Sequence, residues 1–135
     1  MGYMTDGLTF NGLREANEMR LPQFRDAKGN ICHKEKDGSD WSLSDWMTAV
    51  SGETGELANV VKKIRRGDFT IDEARQSLAD EAADIVTYLD IFCNNAGINL
   101  GKAVMEKFNR VSLRVDSNVA LDAEGGHYKQ NLTIK

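Results

Sequence analysis

Proline is nearly missing from this sequence: Pro22 is the only one in 135 residues. With so few residues that lack a backbone donor and break helices, most of the chain is free to be helical. Cysteine is scarce too. Cys32 and Cys93 stand far apart, and neither has a partner at metal-ligand spacing. That speaks against a disulfide scaffold and fits a reducing cytoplasm. Residues 1–10 hold no apolar run of signal-peptide length, and no stretch approaches the ~20 apolar residues of a membrane span. An excess of cations is also lacking. Seventeen Lys and Arg stand against 21 Asp and Glu, for a formal net charge of -4. A nucleic-acid polymer, gripped through its phosphates, is therefore not an expected partner.

Several chemical motifs are absent as well. His33 and His127 each stand alone, with no nucleophile beside them, so triad chemistry has no support. His33 lies next to Cys32 but lacks further soft ligands for zinc. The helices carry no Glu-x-x-His of the di-iron type. No glycine-rich loop ends in Lys-Ser or Lys-Thr to cradle phosphates. Internal repeats and convincing strand alternation are missing too.

What is present is length for one domain, 41% hydrophobic residues, and four helical stretches. The first spans about residues 5–20 and stops before Pro22, because proline disfavours helix in its predecessor. Residues 23–40 follow as a polar insert rich in turn formers, Gly29, Asn30, Asp37, Gly38 and Ser39. Its length is unusual for an idle loop and suits a lid. The second helix opens at Ser42 or Ser44, with Asp45 three residues after Ser42, and closes on Lys62, Lys63, Arg65, Arg66 and Gly67. Cations in a last turn and a glycine after it are stop signals. The third is read from a cap at Asp72 to Asn95, with Gly97 as its stop. The fourth covers about residues 100–114, and residues 119–135 are read as an irregular tail. The expected fold is an all-α four-helix bundle with helices paired antiparallel, one domain whose core spans about residues 41–118.

The charges inside the apolar seams carry the chemistry. On the second helix Trp46, Val50, Leu57, Val60 and Ile64 step by fours and threes once position 53 is filled, and that position is Glu53. Glu56 lies one turn along the same flank. On the third helix Leu78, Ala82, Ile85, Leu89, Phe92 and Ala96 form the seam, with Glu81 and Asp84 along its edge and Tyr88 continuing their row. The short connection between these helices makes them antiparallel neighbours. Two carboxylates ~5 Å apart repel by about 3 kcal/mol at an effective dielectric of ~20. Four acids so placed must protonate, splay or bind cations. Oxygen-only ligands suit Mg²⁺, with Mn²⁺ a close second. Isolated acid pairs at helical spacing are ordinarily a solvated face, but two pairs beside seams on adjacent helices favour the metal.

At these residues the chain resembles the MazG-like family of all-α NTP pyrophosphatases. The paired motif reads Glu53-Thr54-Gly55-Glu56 and Glu81-Ala82-Ala83-Asp84. Its flanks, residues 52–63 and 80–89, are similar, and Lys107-Phe108-Asn109-Arg110-Val111-Ser112 resembles the ending of short, phage-type members. The resemblance implies Mg²⁺-dependent cleavage of a nucleoside triphosphate between its α- and β-phosphates, giving a monophosphate and pyrophosphate. It implies Glu53, Glu56, Glu81 and Asp84 as metal ligands, with a glutamate among Glu53, Glu56 and Glu81 serving as base. It further implies a homodimer or tetramer whose active site is shared between subunits. Tyr88 matches a position that touches substrate, and Lys107, Asn109 and Arg110 match a region that grips phosphates or sugar. Lys63 is a further phosphate candidate, equally well explained as a cation at a helix C-terminus. Trp41, outside the helix, could stack on a base, whereas Trp46 belongs to the core. The expected substrate is a deoxynucleoside triphosphate whose base the sequence does not name, with pool cleansing or phage pool reshaping as the role. The alternative is a non-catalytic metal-binding bundle acting in oligomerisation or nucleotide sensing. Off-seam Val61, Tyr88 and Ile91 are read as leftover apolar surface for a partner.

Overall fold

The computed structural model describes residues 7–129 and is helical over most of them. Helix α1 (Phe10–Arg20) begins where the Thr9 side chain accepts a hydrogen bond from the Gly12 N–H at 2.9 Å. It starts later than the sequence expectation. Residues 7–9 precede it, and positions 5 and 6 lie outside the described residues. A 3-10 turn, Leu21–Gln23, carries Pro22 at its start. Helix α2 (Leu43–Arg65) opens on a capping box formed by Ser42 and Asp45, as the sequence indicated.

Helix α3 (Ile71–Asn95) is capped by Thr70, not by Asp72. The Thr70 hydroxyl accepts from the Glu73 N–H at 3.1 Å, and the Glu73 carboxylate accepts from the Thr70 N–H at 2.8 Å. This reciprocal pair satisfies two orphan donors, while Asp72, one position inside the helix, pairs with Arg75. Helix α4 (Leu100–Arg114) is capped by Asn99. Gly67 and Gly97, at φ 86° and 71°, take the left-handed conformation that ends α2 and α3.

The α2–α3 hairpin is the main packing unit. Helix α1 lies on α3, and α4 touches α1 and α3. Among the described helices α2 touches only α3. The deeply buried apolar residues are Trp46, Val50, Ala74, Ile91, Cys93 and Ala120. Ile91 is thus a core residue, contrary to its expected role as partner surface. Helix α1 packs on α3 along the row of Thr87, Asp90 and Asn94. Val61 does remain exposed.

A buried polar knot ties α1 to α3. Asp90, 1% exposed, accepts from Arg14 Nε at 3.0 Å and from Asn17 Nδ2 at 3.0 Å. The same arginine donates to the Asn94 side chain and to the Ile98 carbonyl. Every strong donor in the knot therefore meets an acceptor, which is what a buried carboxylate requires.

Residues 119–129 correct the expectation of an irregular tail. Strands β1 (Val119–Leu121) and β2 (His127–Lys129) pair antiparallel, with Ala120 opposite Tyr128. The Asp122 carboxylate accepts from the Glu124 and Gly126 N–H groups in the turn. Asn109 on α4 clamps β1 by donating to the Leu121 carbonyl at 3.0 Å and accepting from its N–H at 2.8 Å. Strands of three residues are too short to display a readable alternation. Positions 130–135 of the expected tail lie outside the described residues.

Candidate active site

The helical hairpin brings the expected acids together from two elements. One carboxylate oxygen each from Glu53 on α2 and from Glu81 and Asp84 on α3 lie within 4.8 Å of one another. Glu53 and Glu81 are half-buried, while Glu56 and Asp84 are exposed. Glu56 stands outside the cluster of three but meets both Glu53 and Glu81 through its carboxyl group. Burial, then the neighbouring Glu56, push the Glu53 carboxyl above the ordinary glutamate range. Burial and the hydrogen bond with Glu56 do the same for Glu81. Each responds as a carboxylate does when desolvated beside like charge.

Two atoms make the fit to a cation specific. Glu53 Oε2 and Glu81 Oε2 are both buried, and neither has a hydrogen-bond partner among the described residues. A buried acceptor left unpaired costs about 1–3 kcal/mol. A hard divalent cation would satisfy both oxygens and offset the repulsion. The donor set, carboxylate oxygens only, suits such an ion.

Beside the acids lies an aromatic recess. His33, from the insert, stacks on Trp46 at 5.3 Å with 24° between the rings. It meets Phe24 edge-on at 5.3 Å, Trp41 at 4.9 Å and Tyr88 at 6.3 Å. Trp41 and Trp46 also touch, at 4.9 Å. A cavity of about 220 Å³ opens next to these rings, lined in part by Ile31, Cys32, His33, Trp41, Trp46 and Asn95. Tyr88 joins the two halves of the site. It faces His33 and Trp46, and its hydroxyl is pushed above its ordinary pKa by burial first and then by Glu53 and Asp84.

The insert is an ordered double turn. Arg25 pairs with Ile31 and Lys34 with Asp40 as antiparallel bridges. Asp26 accepts from the Lys28 and Asn30 N–H groups, and Asp37 accepts from the Ser39 N–H. These are aspartate turns, in which a short side chain replaces a backbone acceptor. The turns hold Cys32 and His33 between them, against α2.

The remaining expected residues fall in three places. Trp41 lies half-buried in the recess, and Trp46, 2% exposed, is core as expected. Lys63 is exposed near the end of α2, without an ion pair to any described residue. Lys107 and Arg110 are exposed on α4, a helix that does not touch α2, and Asn109 is engaged with Leu121. Sequence reasoning set His33 aside and did not select Phe24 or Cys32. Their insert has no periodicity, so only its turn residues could have hinted at an ordered wall.

The fold and the site define an all-α protein with a carboxylate centre at the heart of a helical hairpin and an aromatic recess beside it. The MazG nucleotide pyrophosphohydrolase domain matches residues 42–115, more than half the chain, and the chain belongs to that family. That span holds α2, α3 and α4 with all four acids and Tyr88, and leaves the insert outside it. No curated protein and no solved structure matches the chain.

Proposed function

We propose that this protein is a Mg²⁺-dependent nucleoside triphosphate pyrophosphohydrolase acting on deoxynucleoside triphosphates, with Mn²⁺ able to replace Mg²⁺. The observation that carries this reading is the pairing of a carboxylate cluster with an aromatic recess through Tyr88. Trp46 and Glu53 are seven residues apart on one helix, about 10 Å along its axis. A base at the recess and a triphosphate at the acids suit that separation, with the sugar between them.

In this reading Glu53, Glu56, Glu81 and Asp84 hold the metal. A Mg²⁺ ion held by these carboxylates would supply positive charge to offset the acids and the triphosphate, and Lewis acidity toward a water. Glu56, in contact with both half-buried glutamates yet outside the tight cluster, accepts the proton of the attacking water. The oxygen of that water bonds to the α-phosphorus, the bond from the α-phosphorus to the bridging oxygen breaks, and pyrophosphate departs. Lys63, Lys107 and Arg110 complement the phosphates, and Trp41 and Tyr88 flank the nucleoside.

The functional unit is a homodimer or tetramer. Lys107 and Arg110, exposed on α4, are assigned to the site of a neighbouring copy. The insert acts as a lid over the base, in one domain whose core spans residues 41–118. A cytoplasmic role in cleansing or reshaping a nucleotide pool follows from the substrate class.

The test is pyrophosphate release from a panel of ribo- and deoxynucleoside triphosphates with Mg²⁺. Release from at least one, abolished by chelation, is expected. Silence across the panel would sink the proposal and favour a binding role.

A further inference from the structure

We propose that His33 is the residue with which this protein selects its base, its Nε2–H group donating a hydrogen bond to a ring carbonyl of a nucleobase seated in the cavity beside it. The proposal rests on the nucleotide reading above and adds to it a chemical class of base. His33 belongs to the insert, outside the span that matches the family domain, so its role must be argued from this chain alone.

His33 is held in an uncommon place. Its φ of 63° puts a non-glycine residue in the left-handed region, where such a conformation persists when the surroundings impose it. Here the surroundings are four aromatic rings and two aspartate-stitched turns. The imidazole lines a cavity of about 220 Å³. That is below the ~300–1,000 Å³ of pockets that enclose drug-sized ligands, and suits one ring system better than a whole nucleotide. The two charged residues at its wall, Lys34 and Asp40, pair with each other. The recess therefore offers no uncompensated charge, which matches a neutral base.

The polarity of the contact follows from one atom. His33 Nδ1 is buried and has no hydrogen-bond partner among the described residues. That leaves Nε2 as the imidazole nitrogen a ligand can reach. Burial also lowers the His33 pKa, which keeps the ring neutral with a single proton. A proton on Nδ1 would bury an N–H donor without an acceptor, the rarer kind of orphan in folded proteins. A proton on Nε2 leaves only a lone pair at the buried nitrogen and gives the donor to the other nitrogen of a ring that lines the cavity. A donor there selects a base with a carbonyl oxygen. Cytosine, thymine, uracil and guanine have one, and adenine does not.

Both tryptophans of the chain, Trp41 and Trp46, line this cavity, so intrinsic fluorescence reports its occupancy directly. The experiment titrates the full chain, in Mg²⁺, with the α,β-imido deoxynucleoside triphosphates of adenine, guanine, cytosine and thymine. It compares the wild type with His33→Gln, whose amide reaches the position of Nε2, and His33→Asn, whose shorter amide reaches only that of Nδ1. Asparagine also tolerates the left-handed backbone. The wild type is expected to bind at least one carbonyl-bearing base about 5- to 10-fold more tightly than adenine, the scale of one hydrogen bond. His33→Gln should keep most of that ratio, and His33→Asn should lose it. Equal wild-type affinity for adenine and the other three, or a full ratio in His33→Asn, overturns the proposal. If the wild type discriminates by fluorescence yet hydrolyses no triphosphate, the pyrophosphohydrolase reading fails and the role of His33 stands. If triphosphates are hydrolysed while His33→Asn keeps the wild-type ratio, the reverse holds.

Discussion

A handful of side chains in this protein are placed where burial makes their chemistry matter. Asp90 is nearly sealed from solvent, and its charge is matched by Arg14 and Asn17. Asp90→Ala should cost about 3–5 kcal/mol, because it leaves a half-buried guanidinium without its partner; chemical denaturation measures this. Glu53 is the opposite case, half-buried beside like charges with one oxygen unpaired, and with Asp84 it is proposed to hold the cation. Glu53→Gln and Asp84→Asn should each lower turnover by orders of magnitude in a steady-state assay. Circular dichroism should show both folded, and Glu53→Gln should melt higher than wild type in EDTA. Near-wild-type activity in both would remove the metal assignment. Glu53 and Glu81 set a pH dependence. The folded-state pKa values of Glu53 and Glu81 lie above the ordinary 4.5. Their contribution to stability is therefore present below that value and lost as pH rises through the raised values. Metal-free protein should thus lose this contribution as the pH rises above the ordinary 4.5. Mg²⁺, which needs the ionised carboxylates, should stabilise the protein increasingly over the same range. Melting curves with EDTA and with Mg²⁺ test both arms.

Between residues and the whole molecule stand the contacts of one element with the next. Helix α1 meets α4 at Gly101, where an added Cβ would come within 2.9 Å of Phe10 Cβ. Alanine is favoured over glycine in a helix by up to ~1 kcal/mol, but overpacking costs about 1–3 kcal/mol. Gly101→Ala should therefore lower the melting temperature; an increase would mean that α1 shifts freely. The insert is the other element whose placement matters. Removing one of its two turns should change nucleotide preference or raise KM more than it weakens Mg²⁺ binding, because the insert contributes His33 to the recess and no acid to the cluster. Unchanged preference and KM would mark the insert as a tolerated surface loop. The helices themselves were legible from the apolar seams, Pro22, Gly67 and Gly97. The insert's architecture was not, because Asp26 and Asp37 organise it by local hydrogen bonds that have no sequence period.

At the scale of the whole molecule the single chain leaves much apolar surface in water. Val61 on α2, Val86 on α3 and Val104, Phe108 and Leu113 on α4 are all exposed. Helix α2 touches only one other described helix. Apolar surface left in water is where an interaction site is sought, and the proposed homo-oligomer would cover it. Sedimentation at micromolar concentration should show a homo-oligomer, and a charge introduced at Val61 or Phe108 should shift it toward monomer. A monomer throughout would count against a shared site and against the proposed use of Lys107 and Arg110.

The sequence by itself determined the helices and the meeting of the acids. Helical period and a short connection force Glu53 toward Glu81 and Asp84, since both are local properties of two adjacent segments. It also marked Tyr88, which continues the row of acids. Tertiary structure alone decided which apolar flank is covered inside the chain. Ile91 is core, and Asp90 beside it is sealed by Arg14 and Asn17 of α1, a helix distant in sequence. Tertiary structure also engaged Asn109 with strand β1, and it carried a lone histidine from an aperiodic insert onto Trp46. Those outcomes depend on contacts between residues far apart in the chain, where each side chain's role is fixed by what happens to face it.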